Sequence, residues 1–268
     1  MAHRPRVFCL EKLVVGGAVS LAADRAHHLA TVLRLRVGES LSLFNPTDGE
    51  FLATIVALGK RTAEVSIQSQ LVSAAADPAT SAGRPLISLF FAAVKREAMD
   101  GIVEKGTELG VAAFYPILTD HCVATRVGVE RLRAIAIAAS EQSGRISVPM
   151  IAEPKPLAAI LHGWKNERGA TPLLACCEAG ATLPLITCLA SLRHPTEIGI
   201  VIGPEGGFSP AELTTFTQLD FVLRASLGPT ILRSETAAIA AVATVMNNTR
   251  MPRVFSTFTE AFNCDSKD

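Results

Sequence analysis

The stretch "IVIGPEGGFSPAEL", residues 200–213, decides the fold. An apolar, β-branched run ends in a loop carrying Gly203, Gly206 and Gly207, and a helix start follows at once. Ser209 suits the N-cap, Pro210 the first helical position and Glu212 the capping-box position. One glycine is enough for a plain strand-to-helix connection. Glycine permits positive φ and lets a ligand or a second backbone come close. Ligands of open α/β sheets sit at the carboxyl ends of the strands. The three glycines are therefore candidates for a ligand-lining loop, the alternative being a tight turn with nothing against it.

A second turn of the same kind lies downstream. "FVLRASLGPTILRSETAAIAAV" runs from a strand through Gly228-Pro229 into a small-residue helix. Two such turns would form two walls of one pocket. Neither fits the G-x-G-x-x-G dinucleotide pattern or the G-x-x-x-x-G-K-[ST] phosphate loop, which disfavours NAD and ATP.

Outward from these turns, strands and helices alternate. "LISLFFAAV", "VAAFYPIL", "TPLLACCE", "EIGIVIG" and "FVLRASLG" read as strands. "REAMDGIVEKGTELG", "VERLRAIAIAASEQSG" and "ETAAIAAVATVMNN" read as helices, with Gly110 closing the first of them. That rhythm predicts an α/β layer fold with a mostly parallel sheet. Before it, residues 1 to about 72 read as β. "ESLSLFN", "FLATIVAL" and "TAEVSIQ" are separated by turn signals, with Asp48-Gly49 marking a hairpin, as in a small barrel. "SAAADPATSAGRP", residues 73–85, is small and polar and reads as a linker. The expected division is 1–73, linker 74–85, 86–253, and a tail at 254–268.

Composition narrows the class. The chain has 268 residues, a formal net charge of zero and 49% hydrophobic residues, as expected of a soluble protein with a substantial core. Its apolar runs fall short of the ~18 residues a membrane span requires. The charged N-terminus has no apolar signal core, and the six scattered cysteines form no C-x-x-C pair. A reduced cytoplasm, no membrane and no metal site are the expectations. Zero net charge counts against a generally basic surface, yet residues 1–40 hold six Lys or Arg against three acidic residues.

"GPEGGFSPAEL" followed by "LGPTILRSETAAIAAV" resembles the cofactor-binding core of the SPOUT methyltransferases, the trefoil-knotted class. "FAAVKREAMDGIVEKGTELGV", "AASEQSGRISVP" and "HHLATVLRLRVGE" are similar, in the same order, to segments of the RsmE family. The resemblance covers nearly the whole chain. It implies a SPOUT-type knotted α/β methyltransferase domain preceded by a small PUA-like β-barrel. It further implies a homodimer and S-adenosyl-L-methionine (SAM) as cofactor, with methylation of a uridine N3 in 16S ribosomal RNA. The cofactor residues carried over are Ala175, Glu178, Gly203, Glu205, Gly206, Gly207, Leu227, Gly228, Leu232, Arg233, Thr236 and Ala237. Glu205 is a candidate base and Arg233 a candidate stabiliser of the uracil anion. Candidate RNA contacts are Arg34, Arg36, Lys95, Arg96, Lys105, Glu141, Gln142 and Arg145; each is otherwise a solvated surface group. The same fold acting on another RNA, or a ribosome-assembly module without activity, are the competing readings.

Overall fold

A computed structural model describes residues 4–59, 61–77, 84–123, 126–177, 183–193 and 195–248. Two sheets organise the chain. The first takes β1 (Arg6–Phe8), β2 (Ala18–Leu21), β3 (Ser40–Asn45), β4 (Gly49–Leu58) and β5 (Ala63–Ser73), in the order β1-β3-β4-β5-β2. Only the β1–β3 pair is parallel. The β3–β4 hairpin turns at Asp48-Gly49 as the sequence predicts. Gly49 has φ +103°, and a Cβ there would lie 2.2 Å from the Val72 carbonyl oxygen, so only glycine fits. Asn45 and Asp48 fix this turn: Asn45 Oδ1 accepts from the Thr47 and Asp48 amides, and the Asp48 carboxylate accepts from the Leu13 amide and Asn45 Nδ2. Between β2 and β3 the all-β expectation fails. Here α1 (Ala23–His27) runs into a π-helical turn at His28–Val32, because Ala26 and Leu29 recur at helical spacing and bury against the sheet.

The second sheet is larger. Its strands are β6 (Leu86–Ala92), β7 (Ala113–Leu118), β8 (Met150–Ile151), β9 (Lys155–Pro156), β10 (Leu173–Cys176), β11 (Leu183–Pro184), β12 (Glu197–Ile202) and β13 (Val222–Ser226). The order is β11-β13-β10-β12-β6-β7-β8, with β9 on β7, and every pair is parallel. Helices α2 (Arg96–Glu108), α3 (Val129–Ser143), α4 (Leu157–Arg168), α5 (Leu185–Ala190) and α6 (Pro210–Gln218) lie between them, and α7 (Ser234–Asn248) follows β13. The central strands are buried on both faces, which explains their continuous apolar runs. The sequence reading omits α4 and α5. Their interrupted apolar patterns carry little periodic signal, and it is Leu157, Leu161 and Trp164 of α4 that join the core.

The two sheets have separate cores joined by a polar seam. Arg6 is the clasp. Its Nε and Nη2 donate to the Glu50 carboxylate at 3.0 and 2.9 Å, Nη1 donates to the Ser140 and Glu141 carbonyls, and Nη2 also reaches the Arg145 carbonyl. The guanidinium lies over the Phe44 ring at 4.3 Å. Glu141 accepts from the Phe8 amide and pairs with Arg25. Ala74–Ala76 forms a 3-10 turn, and Asp77, read from sequence as linker, is buried and accepts from the Ile146 and Ser147 amides.

Candidate functional site

Three strand ends build the site. β10 lies between β13 and β12, so the loops that leave these strands emerge side by side at the carboxyl edge of the sheet. They enclose a cavity of about 280 Å³ lined by Cys176 and Cys177 at the end of β10, residues 202–208 at and after the end of β12, and Ile231, Leu232, Ser234 and Ala237 after β13. A smaller recess of about 40 Å³ shares Cys176, Cys177, Leu232 and Ala237 and extends to Leu227, Gly228 and Thr230. The two glycine turns therefore do form walls of one cleft, with β10 as its floor. The Ser234 hydroxyl ties them together, donating to the Gly203 carbonyl at 2.8 Å.

The first turn is held from below and from the side. The Gly207 amide donates to the Pro204 carbonyl at 2.9 Å, closing a β-turn with Glu205 and Gly206 at its centre. Gly207 itself has φ +68°. A Cβ on Gly203 would touch the Phe208 ring at 3.0 Å, and one on Gly206 would meet His121 Cβ at 3.3 Å. The capping box forms as the sequence predicts: Ser209 Oγ accepts from the Glu212 amide while the Glu212 carboxylate accepts from the Ser209 amide. The loop after β7 packs alongside. Asp120 accepts from the Ser209 hydroxyl, the Asp120 amide donates to Glu212, and His121 Nδ1 lies 3.0 and 3.2 Å from the Gly206 and Gly207 carbonyl oxygens.

Of the residues assigned to the cofactor, Gly203, Glu205, Gly206, Gly207, Leu227, Gly228, Leu232 and Ala237 line the cleft. Ala175, in β10 one residue before the lining Cys176, is fully buried. Arg233 and Thr236 are exposed beside lining residues, and Glu178 lies outside the described residues. Glu205 and Arg233 are both exposed, and neither side chain makes an ion pair among the described residues. Sequence reasoning did not single out Cys177, Phe208 or Ile231. Ile231, 82% exposed beside the cleft, had a legible signal as an apolar residue in a turn. His121 had none.

Three assignments to RNA need correction. Arg145 is buried, with four hydrogen bonds at 2.7–3.0 Å to the Thr107, Val111 and Ser147 carbonyls and the Ser147 hydroxyl. Burial pushes its pKa down to about 10, and it stays charged at neutral pH. Glu141 is spent on the seam. Both stand at the far end of α3, at the amino edge of the sheet, because α3 returns from the top of β7 to the start of β8. Lys105, in the last turn of α2, pairs with Glu104 and Glu108 at 2.9 Å each, so the cluster is net negative and a poor seat for a phosphate. Lys95 and Arg96 stand exposed at the start of α2, on the carboxyl edge that carries the cleft. Arg34, Arg36 and Gln142 are exposed as well, and Arg34 alone among described non-glycine residues has positive φ, +55°.

Comparison with known proteins gives this arrangement its class. A family model for an RNA methyltransferase domain matches residues 83–246, and one for an RNA methyltransferase PUA domain matches 21–68. The larger, parallel-sheet domain is thus an RNA methyltransferase domain and the smaller one is PUA-like. Ribosomal RNA small subunit methyltransferase E of Rickettsia conorii is 34% identical over 90% of this chain and 94% of its own. The Bacillus subtilis protein of that name is 27% identical over 87% and 91%. The chain belongs to the ribosomal RNA small subunit methyltransferase E family. The Neisseria gonorrhoeae family member, solved bound to S-adenosyl methionine, superposes with a TM-score of 0.77, 29% identity and coverage of 91% and 98%. A Legionella pneumophila protein solved in complex with bound SAM gives 0.79, 28%, 92% and 98%.

Proposed function

We propose that this chain uses SAM to methylate N3 of a uridine in small-subunit (16S) ribosomal RNA. The observation that carries this reading is the cleft where both glycine turns meet at the carboxyl edge, in a chain whose relatives hold SAM.

The residues present suit the cofactor. The floor is apolar, as an adenine face requires. The Phe208 amide has no hydrogen-bond partner among the described residues, so it is available to a ligand. Gly203, Gly206, Gly207, Leu227, Gly228, Leu232 and Ala237 would hold it; when bound, it supplies an electrophilic methyl group. The chain's contribution is chiefly position, which is worth on the order of 7–11 kcal/mol when reacting groups are well aligned. Uracil N3 carries a proton at neutral pH and attacks well only as that proton leaves. Glu205, exposed and without an ion-pair partner among the described residues, is the candidate acceptor. Arg233, exposed beside the cleft, is the candidate to offset the negative charge that spreads onto O2 and O4. The target base must leave its stack, at a cost of a few kcal/mol. Arg34, Arg36, Lys95, Arg96 and Gln142 supply the remaining candidate contacts. The strained φ of Arg34 supports a functional role for its loop.

The working unit is a homodimer in the cytoplasm, acting on rRNA in the small subunit. The partly exposed apolar face of α7 supports self-association, and a sedimentation mass of one chain for active protein would refute it. The test of the activity is nucleotide mapping. A methyl group on N3 blocks the pairing edge, so reverse transcriptase should stop at one position in small-subunit rRNA. Cells lacking the protein should lose that stop, and purified protein with SAM should restore it. Arg233→Ala should restore it far more slowly. A ribose-methylated product would defeat the N3 reading.

A further inference from the structure

We propose that His121 is a positioning residue for the cofactor loop. This rests on the reading of the 202–208 loop as the SAM cradle. His121 stands in the loop after β7, outside both glycine turns. Its Nδ1 faces two oxygens, those of Gly206 and Gly207. Carbonyl oxygens only accept, so Nδ1 carries the proton and the neutral ring is the Nδ1–H tautomer.

The consequence follows from peptide geometry. In a trans peptide the C=O and N–H point in opposite directions. His121 draws the Gly207 carbonyl to its own side, which turns the Phe208 amide the other way. That amide has no partner among the described residues, and Phe208 lines the cleft. Gly207, at φ +68°, has no Cβ to resist this rotation. Gly206 is also shaped to the ring, since an added Cβ would lie 3.3 Å from His121 Cβ. The neighbouring bonds from Asp120 to Ser209 and Glu212 keep the imidazole in register with the loop. His121 thus acts through the Gly207–Phe208 peptide and touches no reacting atom.

Calorimetry with SAM and steady-state kinetics on the full chain test this. His121→Ala should weaken SAM binding by about three- to tenfold, the scale of one partly exposed hydrogen bond. Turnover at saturating SAM should be retained. His121→Asn, whose amide nitrogen can donate from a similar position, should restore most of the affinity. Imidazole ¹⁵N shifts of the wild type, where the ring is neutral, should report the Nδ1–H tautomer. An Nε2–H tautomer overturns the proposal. So does unchanged SAM affinity in His121→Ala, a fall in turnover with affinity intact, or failure of asparagine to rescue. Wild-type chain that binds no SAM overturns the cofactor reading, and this role with it.

Discussion

Replacing Arg145 with alanine should cost stability and leave the carboxyl-edge cleft untouched. The guanidinium joins the end of α2, the turn before β7 and the 145–147 segment through four hydrogen bonds. A hydrogen bond to a charged group contributes ~1.5–3 kcal/mol. Simple addition overstates the loss, because the bonds act as one unit and burial of the charge already offsets part of them. Removing the guanidinium strands several buried acceptors at about 1–3 kcal/mol each, so a net loss of about 3–5 kcal/mol is expected, a large share of the ~5–15 kcal/mol that holds a domain together. For a domain of this size that corresponds to a melting temperature lower by about 6–20 °C. Arg145→Lys should recover little, since one ammonium cannot serve acceptors placed for a planar fork. Thermal and urea unfolding followed by circular dichroism measure the loss. Calorimetry below the transition should show SAM affinity close to wild type. A variant that melts like the wild type yet loses RNA affinity would refute the reasoning and return Arg145 to the RNA surface.

Gly207→Val should weaken SAM binding about 5–30-fold, because a side chain at φ +68° costs ~1–2 kcal/mol that the loop sheds by turning away; Gly207→Asn should lose less, and equal affinities by calorimetry would sink the argument. Asp48→Ala should destabilise the N-terminal sheet through loss of the bonds to the Leu13 amide and Asn45. These bonds hold the Asp48 pKa below its ordinary 3.8, so its contribution is present above that value and fades as pH falls through the lower, folded-state one. Urea midpoints at pH 7, 5 and 3 should therefore converge between variant and wild type only at the acid end. Cys9, whose thiol pKa burial pushes up to about 12, should resist alkylation at pH 8 in the native protein, as mass spectrometry of the labelled peptides would show.

The amino-acid sequence made the catalytic half legible because its punctuation is local. A capping box, a Pro at the first helical position and glycines after apolar runs each act within a few residues, so "GPEGGFSPAEL" folds as it reads. The meeting of the two glycine turns was legible as well, though not that β10 runs between them. What escaped depends on distant partners. Arg145 and Glu141 look like surface groups in "EQSGR", and only the packing of α3 against β1 and α2 shows that they are consumed internally. Asp77 sits in a stretch composed like a linker, yet two amides from residues 146 and 147 claim it. His121 escaped for the same reason: its partners lie more than eighty residues downstream.

The seam between the two sheets has an evolutionary reading. On the α3 side, Arg6 recognises the carbonyls of residues 140, 141 and 145, and Asp77 recognises the amides of 146 and 147. These are main-chain groups that almost any residue provides. The joint reads the path of the backbone at the end of α3 and is largely indifferent to the side chains there. Substitutions can accumulate on that helix end without loosening the joint, so long as the turn at Gly144 keeps its course and Arg145 keeps its buried hydrogen bonds. Glu141, which grips Arg25 and the Phe8 amide with its own side chain, and the buried Arg145 are the positions where such drift should be slowest.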